Sequence, residues 1–209
     1  MKIAFLHTAD VHKATFDTLL TGSGVEVAHV VRADLLARAQ AKGVSAVRDE
    51  TAAILHGLSD ADAVVCTCST LGEIAANMSA PHILRIDRPA FEAAVAFGSR
   101  ILLVICLKST QDASEALLAG CGADLQTDTL ICADAWPYFV AGDLARFSHT
   151  IAADVRKAVS ETPYDAVILA QASMKDAASL LADISVPVLS TPKMAVDAAL
   201  ALVRARATR

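Results

Sequence analysis

Asp62-Ala63-Val64-Val65-Cys66-Thr67-Cys68-Ser69-Thr70-Leu71-Gly72-Glu73 reads as a buried strand running into a helix start. A short β-branched apolar run ends in a cysteine, and Ser and Thr follow where a helix begins. Cys68 is thereby placed on a strand-to-helix turn, where a reactive group would be presented. Thr70 and Glu73 have the spacing of a capping box, which predicts a hydroxyl on a backbone N–H and a Glu reaching back to the first unpaired donor. Unpaired N–H groups and the positive end of a helix dipole beside the thiol would favour thiolate and hold a carboxylate or phosphate. A free cysteine also packs as a small hydrophobe, so the same residue reads as core.

Outward from this stretch the chain alternates strand and helix. On its N-terminal side, Ile3 to Leu6 is a first strand ending at His7-Thr8, and a helix with Phe16, Leu19 and Leu20 inward runs to Gly22. Val25 to Val31 is a second strand, followed by helical runs near 35–41 and 46–58. On its C-terminal side, the helix after Thr70 runs to about Met78, Pro81 to Ile86 is a fourth strand, and Pro89 opens another helix. The pattern then restarts with Arg100 to Cys106, a helix capped by Ser109 or Thr110, a strand from Leu125 to Cys132 and a long amphipathic helix from Asp143. Asp165 to Gln171 and Val186 to Leu189 are the last strands, and Ser190-Thr191-Pro192 caps a final helix.

Such alternation predicts an α/β fold with mostly parallel sheets flanked by helices. Eight units raise a closed barrel as an alternative, but 209 residues is short for one. The chain also repeats itself. Asp62-Ala63-Val64 up to Cys68 and Asp165-Ala166-Val167 up to Gln171 share one offset, since 165 − 62 and 171 − 68 are both 103. Two pseudo-symmetric four-stranded halves explain this: 1–97 with the C-terminal helix 193–209 packed on it, and 98–192. Ligands of open α/β sheets sit at the carboxyl ends of the strands, so Cys68 and Gln171 are expected to line one interdomain cleft.

Composition narrows the function. At 55% hydrophobic residues, a net charge of −5 and a pI near 5.6, the chain carries a sizeable core and no basic footprint for nucleic acid. A small molecule is the expected partner. Five cysteines without regular spacing and no secretory signal point to reduced thiols in a cytoplasmic protein. No apolar run is long enough for a membrane span. Cys66-Thr67-Cys68 with Cys106, Cys132 and a histidine is a weak metal pattern, so no metal is expected. Gly22-Ser23-Gly24 precedes a strand instead of following one and is no dinucleotide fingerprint, and no cofactor is expected.

With these motifs in place, the chain resembles the aspartate/glutamate racemase superfamily, which includes hydantoin racemases, maleate isomerases and arylmalonate decarboxylases. Cys68-Ser69-Thr70 matches the family's Cys-Asn-Thr or Cys-Ser-type turn after the third strand. Leu169-Ala170-Gln171-Ala172-Ser173-Met174 stands where the family has a second cysteine in a Leu-Gly-Cys-type turn, so Gln171 replaces that thiol. The family's racemases use two thiols, one on each face of the substrate α-carbon. Gln has no titratable proton near neutral pH, which disfavours that mechanism here. The related decarboxylases keep one cysteine in the second half, and the maleate isomerase nucleophile is in the first. The resemblance therefore implies the fold, a small carboxylate ligand, one active thiol and, from the family's habit, a homodimer.

The expected catalytic residue is Cys68, as acid/base or nucleophile with a lowered thiol pKa. Ser69 and Thr70 are expected to bind a carboxylate through backbone N–H groups and hydroxyls, with helix capping as their other role. Gln171 either donates its amide to the ligand or ties down its loop, and Ser173 repeats the Ser69 position. His7 and Thr8 end the first strand on the same rim, as do Lys108, Ser109 and Thr191 elsewhere. The expected activity is cofactor-independent isomerisation, or decarboxylation with protonation, of a small carboxylic acid. The alternatives are a carboxylate-binding protein without catalysis, and a thiol-redox or metal protein in which Cys66 and Cys68 act together.

Overall fold

The computed structural model describes residues 1–207, so positions 208 and 209 of the expected C-terminal helix lie outside the described residues. The chain divides into two compact units, the first Met1–Asp87 joined by the segment from Pro192 onward, the second Arg88–Thr191. The first holds β1 (Lys2–His7), α1 (His12–Leu20), β2 (Glu26–Val31), α2 (Ala33–Lys42), α3 (Arg48–Gly57), β3 (Ala63–Cys66), α4 (Gly72–Ala76) and β4 (Ile83–Arg85). The second holds α5 (Arg88–Ala94), β5 (Arg100–Ile105), α6 (Gln111–Ala119), β6 (Gln126–Ile131), α7 (Trp136–Val140), α8 (Leu144–Glu161), β7 (Ala166–Leu169), α9 (Lys175–Leu180) and β8 (Val188–Ser190). Helix α10 (Thr191–Ala207) completes the chain.

Each unit has one open parallel sheet, ordered β2-β1-β3-β4 in the first and β6-β5-β7-β8 in the second. A single closed barrel is therefore not the architecture. The two sheets share topology and register: Ile3 pairs with Ala63 as Ile101 pairs with Ala166, and Cys66 pairs with Arg85 as Leu169 pairs with Ser190. The inner strands β1, β3, β5 and β7 are covered on both faces, which is why they read as continuous apolar runs. In the first unit, Leu6, Val64 and Cys66 face Leu35, Leu55 and Ile74, and on the other face Phe5 packs on Phe16 with ring centroids 4.6 Å apart. In the second, Val104, Val167 and Leu169 face Phe147, Ile151 and Val155 of α8.

Several helix starts differ from the sequence reading. No capping box forms at Thr70 and Glu73: Ser69–Leu71 is a 3-10 turn, α4 follows it from Gly72 without a side-chain cap, and the Glu73 carboxylate lies 3.7 Å from Arg48. Gly72 has ordinary helical backbone angles, φ −59° and ψ −33°, and what favours glycine there is the Arg85 guanidinium in the space a side chain would need. Ser109 and Thr110 likewise form a 3-10 turn with Lys108; Thr110 stands at the N-cap of α6 as expected but makes no side-chain cap hydrogen bond, and Thr191 is itself the first residue of α10, its hydroxyl unpartnered among the described residues. Asp143 does cap α8, its carboxylate accepting the Arg146 N–H at 3.0 Å. Helix α7 is an addition that Trp136-Pro137-Tyr138 did not announce.

Candidate functional site

Cys68 stands just past the carboxyl end of β3, in extended conformation with φ −99° and ψ 112°, and opens the Ser69–Leu71 turn. It is 7% exposed. Burial pushes its thiol pKa upward, contrary to the lowering expected from the sequence. The nearness of the Thr8 hydroxyl first, then of the Leu71 and Thr70 backbone N–H groups and the Thr70 hydroxyl, opposes that push, the Leu71 N–H itself donating to the Cys68 carbonyl at 3.0 Å. The anion-stabilising donors thus come from a 3-10 turn and from the end of β1. A helix dipole contributes little, since α4 is only one turn long. Ser69 and Thr70 are buried beside the sulfur, and Thr8 is 8% exposed.

The neighbouring thiol of Cys66 is fully buried in the apolar core and is pushed up to about 12 by that burial, with the nearness of Cys68 adding to it. Among the described residues it donates one weak hydrogen bond, to the Cys68 carbonyl at 3.8 Å. Two inequivalent thiols, one in the core and one among donors, give Cys66 and Cys68 separate surroundings. Cys106 and Cys132, at the ends of β5 and β6, are also core residues whose thiols burial pushes up. Among the described residues no group of three or more His, Cys, Asp or Glu is placed to hold a metal ion.

Under the turn lies an ion pair that the sequence reading missed. Arg85 Nε and Nη2 donate to the two oxygens of Asp87 at 2.6 and 2.8 Å, with side chains 5% and 0% exposed. Arg85 is on the same face of β4 as Cys66 is of β3, and its guanidinium lies against Gly72. A charged pair two residues apart in an otherwise apolar strand, Ile83-Leu84-Arg85-Ile86-Asp87, was the available signal.

His7 is placed on the other face of β1, fully buried, with both ring nitrogens engaged: Nδ1 is 2.8 Å from Thr67 Oγ1 and Nε2 is 2.8 Å from His29 Nδ1. Burial first, and the neighbouring His29 and His12 next, push its pKa down to about 3. It reaches the Cys68 turn through Thr67 and offers no ring nitrogen to a ligand.

In the second unit Gln171 occupies the position of Cys68, opening the Ala172–Met174 turn after β7. Its Oε1 accepts from the backbone N–H of Cys106 and, at 3.2 Å, of Leu107, so the amide ties β5 to β7. That leaves its NH2 without a partner among the described residues. Gln171 is 8% exposed and Ser173 is half-buried. Lys108 is exposed, and the Ser109 hydroxyl is buried without a partner.

No protein-family model and no curated protein matches the chain. Solved structures do. The chain is similar to Thermus thermophilus glutamate racemase in complex with β-chloro-D-alanine at 17% identity and TM-score 0.71, covering 99% of this chain and 81% of that one. Picrophilus torridus aspartate racemase matches at 16% identity and TM-score 0.67, over 99% and 94%. A variant of arylmalonate decarboxylase matches at 15% identity and TM-score 0.64, over 98% and 94%. The fold of this chain is thus the one that aspartate and glutamate racemases and arylmalonate decarboxylase share. Among the described residues no helix is long and apolar enough to cross a membrane.

Proposed function

We propose that the chain is a cofactor-independent, isomerase-like enzyme that acts on a small carboxylic acid through the thiol of Cys68. One observation carries this reading: the buried Cys68 opens the turn after β3, with the Thr8 and Thr70 hydroxyls near enough to its sulfur to favour the thiolate. Donors to sulfur lower the cost of the thiolate that burial raises, so a proton can leave and return at that atom. The upward push keeps the resting thiol protonated near neutral pH, the form that delivers a proton to a carbanion. Backbone N–H groups and hydroxyls around Ser69 and Thr70 would stabilise a substrate carboxylate or the enolate-like charge that develops from it. Gln171, at the matching position of the repeat, has no proton to exchange, and with Ser173 it is assigned to ligand contact. Isomerisation, or decarboxylation followed by protonation, fits one thiol better than two-base racemisation. The racemases and the decarboxylase of the same fold support chemistry of this kind.

The experiment is a turnover screen of small dicarboxylates, malonates, hydroxy acids and amino acids with the native chain and with Cys68→Ala. Conversion of one compound class, lost in the variant, supports the reading. A second reading, carboxylate binding without catalysis, is favoured by the depth of Cys68 and by the Gln171 oxygen being held by backbone. It requires compounds that slow alkylation of Cys68 while none is converted.

A further inference from the structure

A continuous file of hydrogen bonds runs from the surface of the first unit to the residue before Cys68. Asp17 Oδ1 is 3.0 Å from His29 Nε2, His29 Nδ1 is 2.8 Å from His7 Nε2, and His7 Nδ1 is 2.8 Å from Thr67 Oγ1. Thr67 Oγ1 is in turn 3.0 Å from the Leu6 carbonyl. The side chain of Asp17 is 59% exposed and that of His29 13%, whereas His7 is fully buried. The rings stack in the same order, His7 on His29 at 5.0 Å between centroids, with Phe5 and Phe16 closing the sides.

The file ends in two groups that only accept, the Asp17 carboxylate and the Leu6 carbonyl, so with both rings neutral its three protons fill three of the four bonds. A carboxylate only accepts, so His29 Nε2 carries a proton toward Asp17. With His29 neutral, its Nδ1 is bare and must accept from His7 Nε2–H. His7 Nδ1 is then bare and accepts from the Thr67 hydroxyl, which must leave the Leu6 carbonyl that it faces at 3.0 Å. When His29 takes up a proton, both its nitrogens donate, and His7 Nε2 must become the acceptor. His7 stays neutral, because burial and its cationic neighbours keep its pKa near 3, so it carries its proton on Nδ1 instead. It then donates to Thr67 Oγ1, and the Thr67 hydroxyl turns to the Leu6 carbonyl. One proton is added in all, on His29, and every bond beyond that ring reverses. The charged and titratable groups facing these rings are Asp17, His12 and Lys13 from α1, with His12 at 6.2 Å from the His7 ring.

His7 and Thr67 immediately precede Thr8 and Cys68, and the Thr8 hydroxyl is near enough to the Cys68 sulfur to favour its thiolate. The His7–Thr67 bond therefore clamps β1 to β3 one residue before that contact. We infer that Asp17, His29, His7 and Thr67 form a proton-responsive positioning relay that sets the Thr8 hydroxyl on the Cys68 sulfur. Neither His7 nor Thr67 touches the reacting atom.

The test reads the relay itself and then its effect. Nitrogen-15 NMR of the imidazoles follows the full chain from pH 8 to pH 5. The His7 tautomer is expected to change from Nε2–H to Nδ1–H in step with the appearance of a second proton on the His29 ring, and in His29→Gln this exchange disappears. A His7 that holds one tautomer throughout, or itself becomes doubly protonated, overturns the relay. Thr67→Val, which keeps the shape and removes the hydroxyl, is expected to slow alkylation of Cys68 by iodoacetamide about fivefold at pH 7.5, the worth of one hydrogen bond, with its pH profile moved upward. Thr67→Ser restores the native profile. An unchanged profile in Thr67→Val, with the fold intact by circular dichroism, overturns the positioning role. None of these readouts needs a substrate, so they stand apart from the proposed catalysis.

Discussion

Asp62 and Asp165 make the same bond in the two halves of the chain. The Asp62 carboxylate accepts the backbone N–H of Lys2, and the Asp165 carboxylate that of Arg100, each at 2.8 Å. Lys2 and Arg100 are the first residues of β1 and β5, so each Asp fixes the register of the strand pair that carries its unit. Around Asp165 the fit is close: a Cβ on Gly98 would lie 2.2 Å from its Oδ2. The internal repeat in the sequence has this physical content. Replacing either Asp by Ala is expected to lower the unfolding free energy by about 1 kcal/mol, and Asp→Asn, which keeps an acceptor oxygen, by less. Urea denaturation of the four variants checks this.

Gly72 and Arg85 form the floor of the Cys68 turn. A Cβ at Gly72 would sit 3.0 Å from Arg85 Nε, and Arg85 cannot swing away because Asp87 grips it at two points. Gly72→Ala is expected to cost about 1–3 kcal/mol through overpacking. In a background where the pair is replaced by Arg85→Met and Asp87→Leu, that cost should shrink, while the double replacement alone stays near neutral. Asp87→Ala alone leaves a buried guanidinium unpaired and is expected to cost about 3–5 kcal/mol. A double-mutant cycle by thermal or urea unfolding separates these terms.

His7 makes stability depend on pH in a defined window. Its pKa is about 3 in the folded chain against 6.5 for the ordinary side chain. Between those values the unfolded state binds a proton that the folded state does not, so stability falls as pH drops below 6.5. The slope from this one residue approaches about 1.4 kcal/mol per pH unit, and it should vanish in His7→Gln. Urea midpoints at pH 7, 6 and 5 for both proteins measure it.

The five cysteines should separate by reactivity. Cys66, Cys106 and Cys132 are buried with thiols pushed strongly upward, and Cys121 is half-buried on the surface. Iodoacetamide at pH 7.5 is expected to label Cys121 first and Cys68 more slowly, leaving the other three unlabelled until the chain unfolds. Peptide mass spectrometry of timed samples decides this.

The strand order and the two-sheet plan were legible because parallel inner strands are covered on both faces and so stand out as apolar runs, as in Ile101 to Ile105. The repeat of Asp-Ala-Val added the symmetry. Helix starts were less legible: Thr70 and Glu73 have the right spacing for a cap, but Thr70 lies inside a 3-10 turn and α4 begins only at Gly72. In the site, the place of Cys68 followed from local pattern. Its donors did not, because Thr8 comes from a strand sixty residues earlier in the chain. The ring chain from His7 to His29 likewise depends on pairing between β1 and β2, in which Phe5 and His29 are opposite each other, and no local spacing encodes it.

The central claim is that the Cys68 thiol moves a proton on carbon. Its most direct test is proton NMR in D2O of a panel of malonates, dicarboxylates, hydroxy acids and amino acids, with the native chain, Cys68→Ala and Cys66→Ala. The expected result is deuterium incorporation at carbon, or a deuterated product, for one class of acid, abolished in Cys68→Ala and kept in Cys66→Ala. Exchange that survives Cys68→Ala, or ligands that stabilise the protein with no exchange at any carbon, would contradict it.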